Sequence, residues 1–131
     1  MVMKNRVPHI ETGLRLQASC QGAWDLLTDT SRWRHWGPSI QTVECSDRHI
    51  RLGSSGRVRT ALGFWVPFVV TEMDDNRFWS WQVGGIPATG HRVDRLDRGG
   101  CRVVFRVPLF AAPYVIVCRI ALHRISRILE A

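Results

Sequence analysis

The sequence has one lysine, one tyrosine and three methionines in 131 residues, and its other absences are more informative. The four cysteines, Cys20, Cys45, Cys101 and Cys118, are widely scattered and include no C-x-x-C or C-x-x-H pair, so no zinc site is indicated. We expect neither metal nor cofactor, and read all four as reduced, mostly buried thiols of a cytoplasmic protein. H-E-x-x-H, Walker and G-x-G-x-x-G motifs are absent. GSSG at 53–56 contains serines but precedes a strand, which is not the strand-to-helix elbow of a serine hydrolase. Long apolar runs are missing too. The longest, VPLFAAPYVIVC (107–118), has twelve residues and two prolines. A membrane span needs about 20 apolar residues, so no transmembrane helix is expected. The N-terminal MVMKNRVPHIE has no apolar stretch behind its basic residues, which reads against a signal peptide.

What remains is the size of one domain, 1–131, able to bury roughly 70% of its unfolded surface. The formal charge of +7 comes almost wholly from arginine. The arginines stand singly or in alternation (Arg57, Arg59; Arg92, Arg95, Arg98), the pattern of solvated strand faces. No nucleic-acid motif accompanies them, so no nucleic-acid partner is expected.

HIETGLRLQAS (9–19) alternates as a first strand. Ser19 can cap a helix over 20–29, and Asp29 or Thr30 a second short one through TSRWRHW, ended by Gly37 and Pro38. Trp33 and Trp36 share a face of that second helix, Trp33 as a core anchor. From residue 40 the period changes to two. IQTVECSD, GRVRTAL, VPFVVTEM, RFWSWQV, ATGHRVDRL and CRVVFRVPL read as six antiparallel strands joined by short turns. A helix from about Pro113 to Glu130 follows, its apolar stripe carrying Cys118, Ala121, Leu122, Ile125, Ile128 and Leu129. The predicted architecture is α+β: a seven-stranded antiparallel sheet curled around the last helix, with a hollow between them.

Antiparallel order sends alternate turns to the same end of the sheet. One set, 46–56, 74–77 and 97–100, is polar. The other, LGFW (62–65), GGIPATG (84–90) and LFAAPY (109–114), is apolar and is joined by GPSI. This end gathers Trp36, Phe64, Trp65, Ile86, Phe110 and Tyr114, either as a hydrophobic mouth or as an interface.

Strand parity turns Trp79, Trp81, His91, Val93 and Phe105 inward. His91 then lies among aromatics near Trp81. Either it is a satisfied core histidine, or it contacts a ligand, or it serves as a general base with a pKa near working pH. His35, beside Trp36, is a weaker candidate at the mouth. Glu72, embedded in VVTEM, either pairs with Arg59 or serves as an acid, and a bulge there would reverse its face.

Residues 18–40, ASCQGAWDLLTDTSRWRHWGPSI, resemble the opening of the polyketide cyclase/dehydrase-like branch of the START and birch-pollen-allergen (SRPBCC) superfamily. The matching positions are Ala18, Trp24, Leu27, Thr28, Asp29, Trp33, Trp36, Pro38 and Ile40. VVTEMDDNRFWSWQV (69–83) and GHRVDRLDRGGCRVVF (90–105) look like its later strand pairs. The resemblance implies a helix-grip fold with two short helices between the first two strands, and a pocket for an apolar, cyclic or aromatic small molecule. The expected wall is Trp36, Trp65, Trp79, Trp81, His91, Val93, Phe105, Tyr114, Cys118 and Leu122. Binding without turnover, cyclase or dehydratase chemistry through His91 or Glu72, and a protein- or membrane-surface module using the apolar loops all stay open. So do a monomer and a homodimer.

Overall fold

The computed structural model describes residues 8–130. The N-terminal segment read against a signal peptide lies mostly outside the described residues. Strand β1 (His9–Leu16) leads into helix α1 (Cys20–Thr28). The Ser19 side chain accepts from the Gly22 amide and caps α1. Asp29 then caps a 3₁₀ turn over Thr30–Arg32 by accepting from the Ser31 amide. Helix α2 (Trp33–Trp36) follows. The meander is β2 (Ile40–Cys45), β3 (Ser55–Thr60), β4 (Trp65–Asp74), β5 (Phe78–Val83), β6 (Ile86–Arg95) and β7 (Cys101–Pro108). A 3₁₀ segment, Leu109–Tyr114, precedes α3 (Val115–Glu130), so the predicted single helix from Pro113 begins two residues later.

All seven strands form one antiparallel sheet in the order β1-β7-β6-β5-β4-β3-β2. Return of β1 to pair with β7 places α3 over those two strands, where Cys118, Ala121, Leu122 and Ile125 are buried. This is the helix-grip arrangement. The apolar turns after β3, β5 and β7 share one pole, and the polar turns after β2, β4 and β6 the other, as alternation requires. Leu109–Glu130 matches a membrane span in length and composition. It is, however, broken by non-helical backbone at Ala111, and the buried stripe of α3 faces the sheet.

Arg57 and Arg92 lie on the outer face of the sheet, as their alternation with inward Val58 and Val93 predicts. Arg57 pairs with Glu44 at 2.7 Å, and Arg92 bridges Glu11 (2.9 Å) and Asp94 (3.0 Å) across three strands. The Arg92 hydrogen bond holds the Glu11 carboxyl below its ordinary range.

One expectation fails here. Cys20, at the start of α1, is bonded to Cys101, at the start of β7, 81 residues away. Only Cys45 and Cys118 are free thiols. Spacing in the sequence gave no sign of this pair because the fold, and not the local chain, brings it together. Closure of so long a loop restricts the unfolded chain, a stabilisation of about 2–4 kcal/mol. We therefore expect dithiothreitol to lower the urea midpoint of the wild type and to leave that of Cys20→Ala, already lowered, unmoved.

Candidate functional site

Two irregularities in strand pairing shape the concave side. Gly84 and Gly85, with φ of 61° and 77°, make the tight turn between β5 and β6. Beyond it Gln82 pairs with Pro87 and Ser80 with Gly90, so that Ala88 and Thr89 together oppose Trp81. A two-against-one bulge bends the strand and re-aims its side chains. Pro87 is tolerated because pairing of β6 with β7 begins only at Gly90, so that β6 has a single neighbour there. On β4, Val70 pairs with Trp81 and Glu72 with Ser80, which leaves Thr71 as the extra residue.

The β6 bulge places Thr89 within reach of two partners. Trp81 Nε1 donates to Thr89 Oγ1 at 3.1 Å, and the same oxygen lies 3.0 Å from His91 Nε2. The other ring nitrogen, His91 Nδ1, lies 3.3 Å from the Trp79 carbonyl oxygen. The His91 ring stacks on Trp79 at 4.0 Å and meets Phe105 edge-on at 4.8 Å. Burial drives its pKa down to about 3, with the hydrogen bond to the Trp79 carbonyl acting in the opposite direction. That direction leads away from a general base titrating near working pH. Desolvation keeps this imidazole neutral, and so low a basicity makes it a poor proton acceptor.

Between the ends of β3, β5, β6 and β7 and the 3₁₀ segment lies a cavity of about 350 Å³ at the pole of apolar turns. Its wall comprises Ser39 and Ile40, Val58 and Thr60, Trp81 and Val83, Ile86 to Thr89, Val107 and Pro108, and Phe110, Ala111 and Tyr114. No charged side chain is among them. The polar groups are four hydroxyls, of which Ser39 Oγ and Tyr114 OH are bonded to each other at 2.6 Å. A small annex of about 30 Å³, room for about one water, adjoins it past Trp81, Thr89 and Tyr114.

The sequence-predicted residues divide into three groups. Trp81 and Tyr114 line the main cavity. Trp36, His91, Phe105 and Cys118 line the annex. Trp36 is 4% exposed, its indole donating to the Leu26 carbonyl, so it lies inside the rim and not on it. The Cys118 thiol is pushed up to about 12 by burial and stays protonated. Trp65, Trp79, Val93 and Leu122 line neither space. Trp65 sits outside the sheet under the Arg57 guanidinium, 4.2 Å from its ring. Trp79 is fully buried between Trp33 and His91. Val93 lies one pair of residues farther along β6 from the mouth, and Leu122 one turn farther along α3, both in the core. Exposed His35 lines neither space.

Glu72 is turned to the face opposite Trp79 and Trp81 by the β4 bulge, where it accepts a hydrogen bond from Ser80 Oγ at 2.6 Å. It is paired with Ser80, not with Arg59, and is absent from the cavity wall. Thr89, Thr60 and Ser39 were missed. The sequence reading puts Thr89 both in the GGIPATG turn and at the start of the ATGHRVDRL strand, whereas the Gly84-Gly85 dipeptide is a two-residue hairpin signal that starts the strand at Ile86.

The family model for polyketide cyclase / dehydrase and lipid transport matches residues 8–120. No curated protein matches the chain by sequence. Among solved structures, the fold is similar to XoxI from Bacillus cereus, at 12% identity, TM-score 0.73, covering 93% of this chain and 95% of that one. It is also similar to NE0264 from Nitrosomonas europaea, at 14% identity, TM-score 0.71, covering 96% of each. A third similar structure is the Aha1 dimer from Colwellia psychrerythraea, at 19% identity, TM-score 0.70, covering 94% of this chain and 96% of that one. The match across 8–120, carried on a sheet that grips its last helix, shows that this chain belongs to the polyketide cyclase / dehydrase and lipid transport family.

Proposed function

We propose that this protein binds an uncharged, mainly apolar small molecule, cyclic or aromatic in shape, in the cavity between the sheet and the segment leading into α3. The observation that carries the reading is the cavity wall: about 350 Å³, open at the mouth and lined by apolar side chains and hydroxyls, with no carboxyl, amine, guanidinium or imidazole on it. Ligand pockets run from about 300 to 1,000 Å³, so this one suits a small ligand. A charged ligand would lose its hydration there without gaining a counter-ion. Trp81 and the lip residues Phe110 and Tyr114 offer flat faces to a ring.

Binding is favoured over cyclase-like turnover because the two candidate proton carriers are badly placed for it. Glu72 lies on the opposite face, and His91 is a very weak base behind Thr89. We take residues 1–131 as one domain. A cytoplasmic site of action goes with the dithiol form of Cys20 and Cys101; an oxidising compartment would keep the bond closed.

Titration with naphthalene-class probes, followed by tryptophan fluorescence, tests the reading. Saturable quenching is expected in the wild type, and a loss of affinity of about tenfold or more in Ala88→Trp, a filled wall costing at least 1.4 kcal/mol of contact. Equal binding by a correctly folded Ala88→Trp, or no saturable binding by any probe, would refute it.

A further inference from the structure

The cavity's hydroxyls differ in how far their polarity is determined. The Ser39–Tyr114 pair can donate in either direction, so it accepts a ligand of either kind. Thr60 Oγ1 is buried with no hydrogen-bond partner among the described residues, and its direction is unassigned. Thr89 is different, because a chain of obligatory roles ends on it.

The Trp79 carbonyl can only accept, so His91 Nδ1 carries the proton. In the neutral imidazole Nε2 is then an acceptor, and the hydroxyl hydrogen of Thr89 must point to it. Indole nitrogen can only donate, so Trp81 Nε1–H occupies one lone pair of Thr89 Oγ1. A single lone pair is left. Thr89, which lines both the cavity and its annex, therefore offers a ligand an acceptor and never a donor.

We propose that Thr89 is a specificity-determining residue that selects ligands carrying a hydroxyl or N–H donor: neutral alcohols, phenols or amides in place of ethers, ketones or carboxylates. The inference rests on the binding reading above and adds the polarity of the ligand to it. His91 acts here as a positioning residue, because it fixes the direction of the Thr89 hydroxyl without lining the main cavity itself.

The experiment is a set of titrations with 2-naphthol, 2-methoxynaphthalene and 2-naphthoate against wild type, Thr89→Val and Thr89→Ser. Comparing the change between proteins for each probe cancels the probes' different hydration. From wild type to Thr89→Val, 2-naphthol is expected to lose about five- to tenfold in affinity, the worth of one net hydrogen bond. The ether is expected to change less than about twofold on the same scale. Thr89→Ser, which restores the hydroxyl, is expected to recover the naphthol affinity. Naphthoate should bind more weakly than either neutral probe in every protein. The proposal is overturned if naphthol and its ether lose affinity equally in Thr89→Val, or if naphthol loses none. It also falls if Thr89→Ser behaves as Thr89→Val while folded. Absence of binding by all three probes in the wild type would instead remove the cavity reading, and this inference with it.

Discussion

Trp33→Ala lowers the unfolding free energy by about 3–5 kcal/mol, the range for truncating a fully buried large aromatic. That is a large fraction of the 5–15 kcal/mol typical of a domain. Trp33 is 0% exposed and belongs to a helix of only four residues, which has almost no stability of its own. Its indole donates to the Leu27 carbonyl at 2.9 Å, which ties α2 back to α1. Its ring stacks parallel to Trp79 at 5.4 Å, meets Trp81 edge-on at 5.2 Å and lies tilted against Phe68 at 5.5 Å. Alanine leaves a cavity at the junction of α2, β4 and β5 and removes the partner of the Leu27 carbonyl. Urea denaturation followed by circular dichroism gives the value, and Trp33→Phe should recover most of the packing part while still lacking the hydrogen bond. A cost below about 1 kcal/mol would show that the site collapses around the deletion, against the rigid packing assumed here.

The same cluster shows which parts of the molecule the sequence could reveal. Period and capping residues gave the strands, the two short helices and the grip on α3, because each depends on local pattern and on burial of one face. The polarity of the turns gave the pole of the cavity by topology alone. The bulges were hidden. A single extra residue at Thr71 turns Glu72 outward, and one at Ala88–Thr89 puts Thr89 beside Trp81. Neither changes the hydrophobic pattern enough to be read from it. Parity therefore identified Trp79 and Trp81 as inward but could not separate the core residue from the wall residue. That difference depends on depth: Trp79 pairs with His91 beneath the cavity, while Trp81 sits in the bulge one step nearer the mouth. The Cys20–Cys101 bond was likewise invisible, since it joins the first residue of α1 to the first of β7, and only the pairing of β1 with β7 brings those ends together.

Acidification from pH 6.5 to 4.5 removes on the order of 2–3 kcal/mol of stability through His91 alone. In the unfolded chain this histidine titrates at its ordinary value of 6.5, whereas in the folded protein burial has lowered it to about 3. Between those values the unfolded state holds a proton that the folded state lacks, so stability falls as pH falls. The contribution is fully present above pH 6.5 and continues to be lost until about pH 3. Groups facing the imidazole do not offset this: Trp36, Trp79, Trp81, Thr89 and Phe105 carry no charge, and the Cys118 thiol across the annex is held neutral by burial. Carboxylates held low in the folded state, Glu11 through its Arg92 bond and Asp29 through bonds that outweigh its burial, lose their stabilisation at lower pH, as they approach protonation. His91 therefore loses its stabilisation earlier on the acid limb than these carboxylates do. Urea midpoints of wild type should fall steadily over that interval, and those of His91→Gln should stay nearly level until the carboxylates titrate. Parallel acid limbs in the two proteins would mean that the imidazole is hydrated or charged in the native state. It would then no longer hold the Thr89 hydroxyl in one direction, because a protonated Nε2 must donate to that oxygen and would free its hydrogen for the ligand.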